Sequence, residues 1–140
     1  KHPRFVALRY FNVYGPGEEH KGKMSSVAYQ AYKKGEMQLF PNKPQRDFIY
    51  IEDVLEANYR AINAESGYYD VGTAQANTFE SLVEGMGIKY TYTSDDKIPS
   101  WYQHFTKADP NKWLPGWFPS YNIKKGTKSY KSYLDEKSIN

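Results

Sequence analysis

The chain has 140 residues, no cysteine, a net charge of +3, and 14 tyrosines beside 7 phenylalanines. Disulfides and cysteine-based metal sites are excluded, no metal site is expected, and the charge is too mild to argue for nucleic acid. No apolar run approaches the length of a membrane span and the first residues carry no signal-peptide pattern, so a cytoplasmic protein without a membrane partner is expected.

The chain opens without an initiator Met and runs straight into "FVALRYF". This apolar, β-prone run predicts a buried strand, ended by the turn Gly15-Pro16-Gly17. The N-terminus is accordingly expected to be a cut inside a larger protein. "KMSSVAYQAYKKG" sets Met24, Val27, Ala28 and Ala31 at helical spacing and stops at Gly35. "MQLF" is a short strand, and "PNKP" is a turn in which Asn42 is expected to take the unusual φ. "RDFIYI" shows no polar alternation after Asp47, the pattern of a strand buried on both faces. The helix "EDVLEANYRAI" follows, with Asp53 as its expected N-cap and Glu56 three residues on.

"GYYDVGTA" predicts a strand ending at Gly72. Thr78 is placed to cap the helix "FESLVEGMG", whose Phe79, Leu82, Val83 and Met86 share one face. "IKYTYT" alternates as a half-exposed strand does. Residues 94–121 are loop-rich and hold four of the eight prolines, with a short helix expected at Asp109-Pro110. Ile123, Thr127, Tyr130 and Leu134 make one face of a last helix. From Trp101 onward seven lysines stand against three acids. Such a basic, aromatic tail can bind nucleic acid, but a lysine-rich solvated helix face is the stronger reading.

Strands alternating with helices predict an α/β fold with at least some parallel pairing in one region, 1–140. Folds of this kind bind ligands at the carboxyl ends of their strands. The segment Arg9–Lys23, which leaves a strand and gathers Glu18, Glu19, His20, Lys21 and Lys23, therefore lies where a site is expected. A solvated loop with a loose pair between Lys21 and Glu18 or Glu19 is the plain alternative.

The stretch "LRYFNVYGPGEEHKGKMSSVAY" resembles the extended short-chain dehydrogenase/reductase family of nucleotide-sugar enzymes. Within it, "HKGKM" and "WYQHFTKAD" are most similar to the branch of ADP-heptose 6-epimerases, while "RDFIYIEDV" and "YYDVGTA" match segments shared more widely. The resemblance covers nearly the whole chain but only the C-terminal part of the family's length. It implies the substrate-binding part of an extended Rossmann-type fold, with one or two strands of the parallel sheet. The family's glycine-rich loop and its Tyr-x-x-x-Lys pair have no counterpart here and are expected upstream.

The resemblance also implies a chemistry. Such enzymes use NADP to oxidise the heptose C6 hydroxyl to a ketone and return the hydride to the opposite face, which needs proton carriers on two sides. One carrier is the upstream tyrosine; the other matches Lys21, which is expected to be catalytic and to touch the cofactor. A lysine among positive neighbours can be tuned towards neutral pH, as a general base requires. Val13 matches a residue beside the nicotinamide. Asn12, Arg46 and Tyr102 match substrate-contacting positions, and the Arg46 fork suits a diphosphate. Phe40, Pro41, Asn42 and Lys43 align with a loop that wraps the ADP-sugar's nucleotide. Lys23 and Gln30 stand where the family often has Ser and His, and both are expected to touch substrate. Each position has its plain alternative in packing, a turn or a surface charge.

Two other readings stay open: an epimerase or dehydratase acting at a different sugar carbon, and a non-catalytic sugar-nucleotide-binding domain. Sheet edges left unpaired would favour self-association, so a homo-oligomer is expected.

Overall fold

The computed structural model describes residues 3–139. Short strands and helices alternate along them: β1 (Val6–Tyr10), β2 (Asn12–Tyr14), α1 (Val27–Lys34), β3 (Glu36–Leu39), β4 (Gln45–Arg46), β5 (Phe48–Tyr50), α2 (Ile51–Ala61), β6 (Gly67–Val71), β7 (Asn77–Thr78), α3 (Phe79–Gly85), β8 (Lys89–Tyr92) and α4 (Ile123–Ile139). The pairs β1–β6, β2–β5 and β3–β8 are parallel, and β4–β7 is antiparallel. The α/β class expected from the alternation is the one observed.

The chain changes partners at Phe11 and Asn12. Phe11 N–H still donates to Val71 O on the β6 side, whereas Asn12 N–H donates to Asp47 O on the β5 side. A crevice opens where a strand passes from one neighbour to another, as at the switch points of open α/β sheets.

β5 is buried on both faces, as its unbroken apolar run predicts. Phe48 and Tyr50 enter a core shared with Tyr14, Leu82, Met86 and Tyr130, while Ile49 enters a second core with Val54, Val71 and Trp117. Burying each such side chain contributes about 2 kcal/mol.

Four expectations are corrected. β1 is only half-buried: Leu8 packs against the second core, but Phe5 and Tyr10 are 52% and 50% exposed. Met24 is exposed and precedes α1, which starts at Val27 behind the N-cap Ser26. In "PNKP" the positive φ falls on Lys43, at 52°, and not on Asn42. Asp53 does not cap α2, since the N-cap is Tyr50. Its buried carboxylate instead accepts the N–H groups of Ser120 (2.8 Å) and Tyr121 (3.0 Å). Burial pushes the Asp53 carboxyl above its ordinary value, and these two N–H groups pull it partly back.

Asp47 makes the widest-reaching polar tie. It is fully buried. Its Oδ1 accepts Thr73 N–H (2.8 Å) and Thr73 Oγ1–H (2.7 Å), and its Oδ2 accepts Ala74 N–H (2.8 Å) and Ala108 N–H (3.0 Å). Gly72 permits this, because a Cβ there would lie 2.8 Å from Asp47 Oδ2. Asp47→Asn puts an amide N–H₂ against one set of buried donors, so it is expected to destabilise the chain by about 3 kcal/mol. A urea midpoint unchanged from wild type would show the web to be dispensable.

Candidate active site

One open groove of about 460 Å³ lies where the chain changes partners, lined by Phe11, Asn12 and Val13 on one wall and by Glu18, Lys21, Ser25 and Ser26 on the other. Local sequence chemistry builds it. β2 ends at Gly15, whose φ of 141° and close approach to Ile51 suit glycine alone: a Cβ there would lie 2.5 Å from Ile51 Cγ2. The chain then makes a 3-10 turn over Glu19–Met24, broken at Gly22 (φ 55°, ψ −120°). That break presents Lys21 at the rim before the chain enters α1.

Glu18 fixes this loop. The plain alternative read from sequence left it, or Glu19, as a loose surface partner for Lys21; the structure buries it, 5% exposed. Its carboxylate accepts the N–H and the Oγ–H of Ser26 and the N–H of Gly15. A buried carboxylate needs such donors, and here they are the orphan groups of the turn and of the helix start. Glu19 pairs with Lys137 at 3.3 Å. Lys21 is thus left exposed, with no side-chain ion pair among the described residues.

Of the residues singled out from sequence, Asn12, Val13 and Lys21 share this groove. Phe40, Arg46 and Tyr102 gather at a second place. The Arg46 guanidinium lies 4.9 Å from the Tyr102 ring centroid and 5.7 Å from that of Phe79. Phe40 meets Tyr102 edge-on at 4.8 Å. Phe40, Tyr102 and Phe79 line a small hollow of about 110 Å³. Val27 lines both hollow and groove, so the two adjoin. The arginine lies over the Tyr102 and Phe79 rings and gives one N–H to Gln45 O, and its other N–H groups donate to no side chain or carbonyl among the described residues.

The remaining five stand aside. Lys23 is exposed and outside the groove wall, and Gln30 spends its amide N–H₂ on Lys23 O (3.2 Å) and Ser25 O (2.8 Å). Asn42 and Lys43 are exposed on the turn, and Pro41 is half-buried there.

Sequence reading missed three supports. Ser26 caps α1 and binds Glu18, signalled only by the polar pair before an apolar helix. Asp47 stood at the head of an apolar run, with nothing nearby to name its partners. The segment His104–Thr106 runs alongside Gln45, with Gln45 N–H donating to His104 O and Thr106 N–H to Gln45 O, and this carries Tyr102 to Arg46. No local pattern announces that strap.

The fold and the groove define a Rossmann-type α/β chain with a ligand crevice at its strand ends. The chain belongs to the NAD dependent epimerase/dehydratase family, whose model matches residues 2–72. It is 35% identical to the ADP-L-glycero-D-manno-heptose-6-epimerase of Brachyspira hyodysenteriae over 94% of its own length and 46% of that protein's. Among solved structures it resembles the Helicobacter pylori ADP-L-glycero-D-manno-heptose-6-epimerase, with a TM-score of 0.76 and 34% identity. That likeness covers 93% of this chain and 44% of the other. It shares the fold of a Thermotoga maritima UDP-glucose 4-epimerase at a TM-score of 0.81 and 24% identity, over 98% of this chain and 47% of that one. The chain thus spans about half the length of the relatives it matches.

The family's dinucleotide fits these residues at one end only. Val13 and Val27 offer an apolar wall and Asn12 an amide, which suits a flat ring with a polar edge. No described strand leads through a glycine-rich turn directly into an α-helix, the usual cradle of a pyrophosphate. Among the described residues no helix is long and apolar enough to cross a membrane.

Ser26→Ala removes both the cap and a Glu18 donor, so the first turn of α1 is expected to lose about 1–2 kcal/mol. Hydrogen exchange of the Val27–Gln30 amides should quicken about tenfold; an unchanged rate would show that Glu18 does not depend on the cap.

Proposed function

We propose that this chain is the C-terminal, substrate-binding portion of a nucleotide-sugar epimerase that inverts C6 of an ADP-linked glycero-manno-heptose, a lipopolysaccharide-core precursor. In this reading the dinucleotide-binding half and the first acid–base tyrosine belong to a preceding stretch of polypeptide, and the enzyme works in the cytoplasm as a homo-oligomer. The supporting observation is the groove that brings Asn12, Val13 and Lys21 together beside the Arg46–Tyr102–Phe40 cluster. The likeness to two heptose 6-epimerases selects this branch of the family.

The chemistry follows from what inversion requires. The C6 hydroxyl loses its proton and C6 loses a hydride, giving a 6-keto sugar. The keto sugar takes the hydride back on its other face, and its oxygen takes a proton. NADP, when bound, supplies the reversible hydride acceptor. Lys21, exposed at the rim and free of ion pairs among the described residues, is the proton carrier on one side of the carbon. Such a proton carrier contributes roughly 10²–10⁴-fold in rate. Asn12 holds a sugar hydroxyl with its amide, and Val13 packs against the nicotinamide. Arg46 takes the diphosphate with the donors left free, and Tyr102 and the Phe40–Lys43 turn enclose the nucleotide. Lys23 and the Gln30 amide oxygen lie at the outer edge of the substrate's path.

Two predictions test this in the polypeptide that joins the chain to a dinucleotide-binding half. Lys21→Ala is expected to lower kcat for ADP-heptose epimerisation by about 10³-fold with cofactor affinity unchanged. Near-normal turnover would remove Lys21 from the mechanism, and inversion of a different sugar carbon would point to another epimerase of the family. Arg46→Lys keeps the charge but loses the fork, so the Kd for ADP-sugar measured by calorimetry should rise about tenfold. An unchanged Kd would make Arg46 structural, and binding without any turnover in the unaltered polypeptide would favour a non-catalytic domain.

A further inference from the structure

We infer that Tyr130, on the C-terminal helix, is a positioning residue for the Lys21 loop, and that α4 clamps this loop against the groove. The inference rests on Lys21 serving as the proton carrier proposed above. Its evidence is separate and lies in the packing of α4.

Glu18 and Lys21 are ends of one turn, since Lys21 N–H donates to Glu18 O at 3.0 Å. Whatever fixes Glu18 therefore fixes the backbone that carries Lys21. Tyr130, 112 residues along the chain, donates its hydroxyl to Glu18 Oε2 at 2.7 Å. The carboxylate is buried, so it cannot exchange that donor for water without opening the loop. Burial and the facing carboxylate push the Tyr130 hydroxyl far above its ordinary value, so it stays a neutral donor.

The helix itself is held rigidly enough to act as a clamp. The Tyr130 ring is fully buried and packs against Tyr14 and Tyr50, with centroids 6.2 and 6.5 Å away. One turn earlier, Gly126 lets α4 settle on β2: a Cβ there would lie 2.0 Å from the Tyr14 hydroxyl oxygen. This contact fixes the helix in both height and rotation. Seven residues beyond Tyr130, on the same helix face, Lys137 pairs with Glu19 at 3.3 Å. Two adjacent loop acids are thus gripped from one helix, the first deeply and the second at the surface, where a pair contributes little. The loop is gripped from its other side by Ser26 at the start of α1. Lys21 stands between these grips with no tie of its own side chain among the described residues, which leaves its position to the backbone.

Tyr130→Phe tests this, because it keeps the ring and removes only the hydroxyl. In the 140-residue chain, hydrogen exchange of the Lys21–Ser26 amides is expected to rise about tenfold or more, with the β5 amides unchanged. In the joined polypeptide, kcat should fall about tenfold while KM for the ADP-sugar stays put. Tyr69→Phe, whose hydroxyl donates to Glu65 O and does not reach Glu18, should change neither. Unaltered loop exchange and unaltered kcat in Tyr130→Phe, with Lys21→Ala inactive, would overturn the clamp and spare the proposed function. If Lys21→Ala is fully active, the proposed function fails, and the exchange measurement alone then decides whether α4 holds the loop. Should Tyr130→Phe not fold, Lys137→Ala releases only the outer grip and is expected to quicken the same amides a few-fold. No change there would overturn the clamp.

Discussion

The buried carboxylate of Asp47 is the constraint on which the rest of the structure depends. It sits at the start of β5, between two cores, and collects four donors from two distant segments. Each donor is a loop group with no partner in a sheet or helix. Left unpaired in the interior, such groups would cost about 1–3 kcal/mol apiece. Asp47 thereby fixes the bend after β6 and the segment near Ala108 relative to β5. Its own carbonyl, accepting Asn12 N–H, fixes the point where the first strand changes neighbours. One residue earlier stands Arg46, and the segment tied down at Ala108 brings Tyr102 against it. The phosphate-binding end of the proposed site is therefore a by-product of satisfying one buried acid.

The same device recurs. Residues 101–121 form almost no regular structure, so their backbone donors need other partners. Carboxylates supply them: Asp47 for Ala108, Asp70 for Asp109, and Asp53 for Ser120 and Tyr121. Two indoles complete the attachment, with Trp113 donating to Gly72 O and Trp117 to Asp53 O. Glu18 plays this part for the loop that carries Lys21. Acids placed on well-packed strands, turns and helices thus hold irregular segments in fixed positions, and the segments supply the groove. Lys21 at the rim and Lys23 outside it are left without ion-pair partners among the described residues, while Glu18 and Glu19 in the same loop are already engaged.

This division explains what was legible from sequence. Periodicity carried the elements: Leu82, Val83 and Met86 are buried on one face of the α3 region, and Thr78 caps it as its position implied. The apolar run after Asp47 announced a strand buried twice over. The pairing of residues far apart was not legible, because it has no local pattern. Asp53 looked like a helix cap from its neighbours, yet its partners lie at Ser120 and Tyr121. Glu18 looked like a solvated acid among other charges, yet it is buried by α4. Asn42 was the natural residue for a positive φ, but the turn's geometry put that burden on Lys43. The candidate site residues were found through family resemblance, and the structure draws Asn12, Val13 and Lys21 into one groove and Phe40 and Tyr102 into an adjoining hollow, with Arg46 over the Tyr102 ring.

The central claim is that these two hollows form one path for an ADP-sugar, with the diphosphate at Arg46 and the sugar at Asn12 and Lys21. Nuclear magnetic resonance of the isotope-labelled chain, titrated with ADP and then with ADP-mannose, tests it most directly. ADP should shift the resonances of Phe40, Arg46 and Tyr102, and the added sugar should extend the shifts to Asn12 and Lys21, with β3 and β8 undisturbed. Shifts clustered instead on Lys34, Lys89 and the outer face of β3 and β8, or sugar-dependent shifts that never reach Asn12, would contradict it.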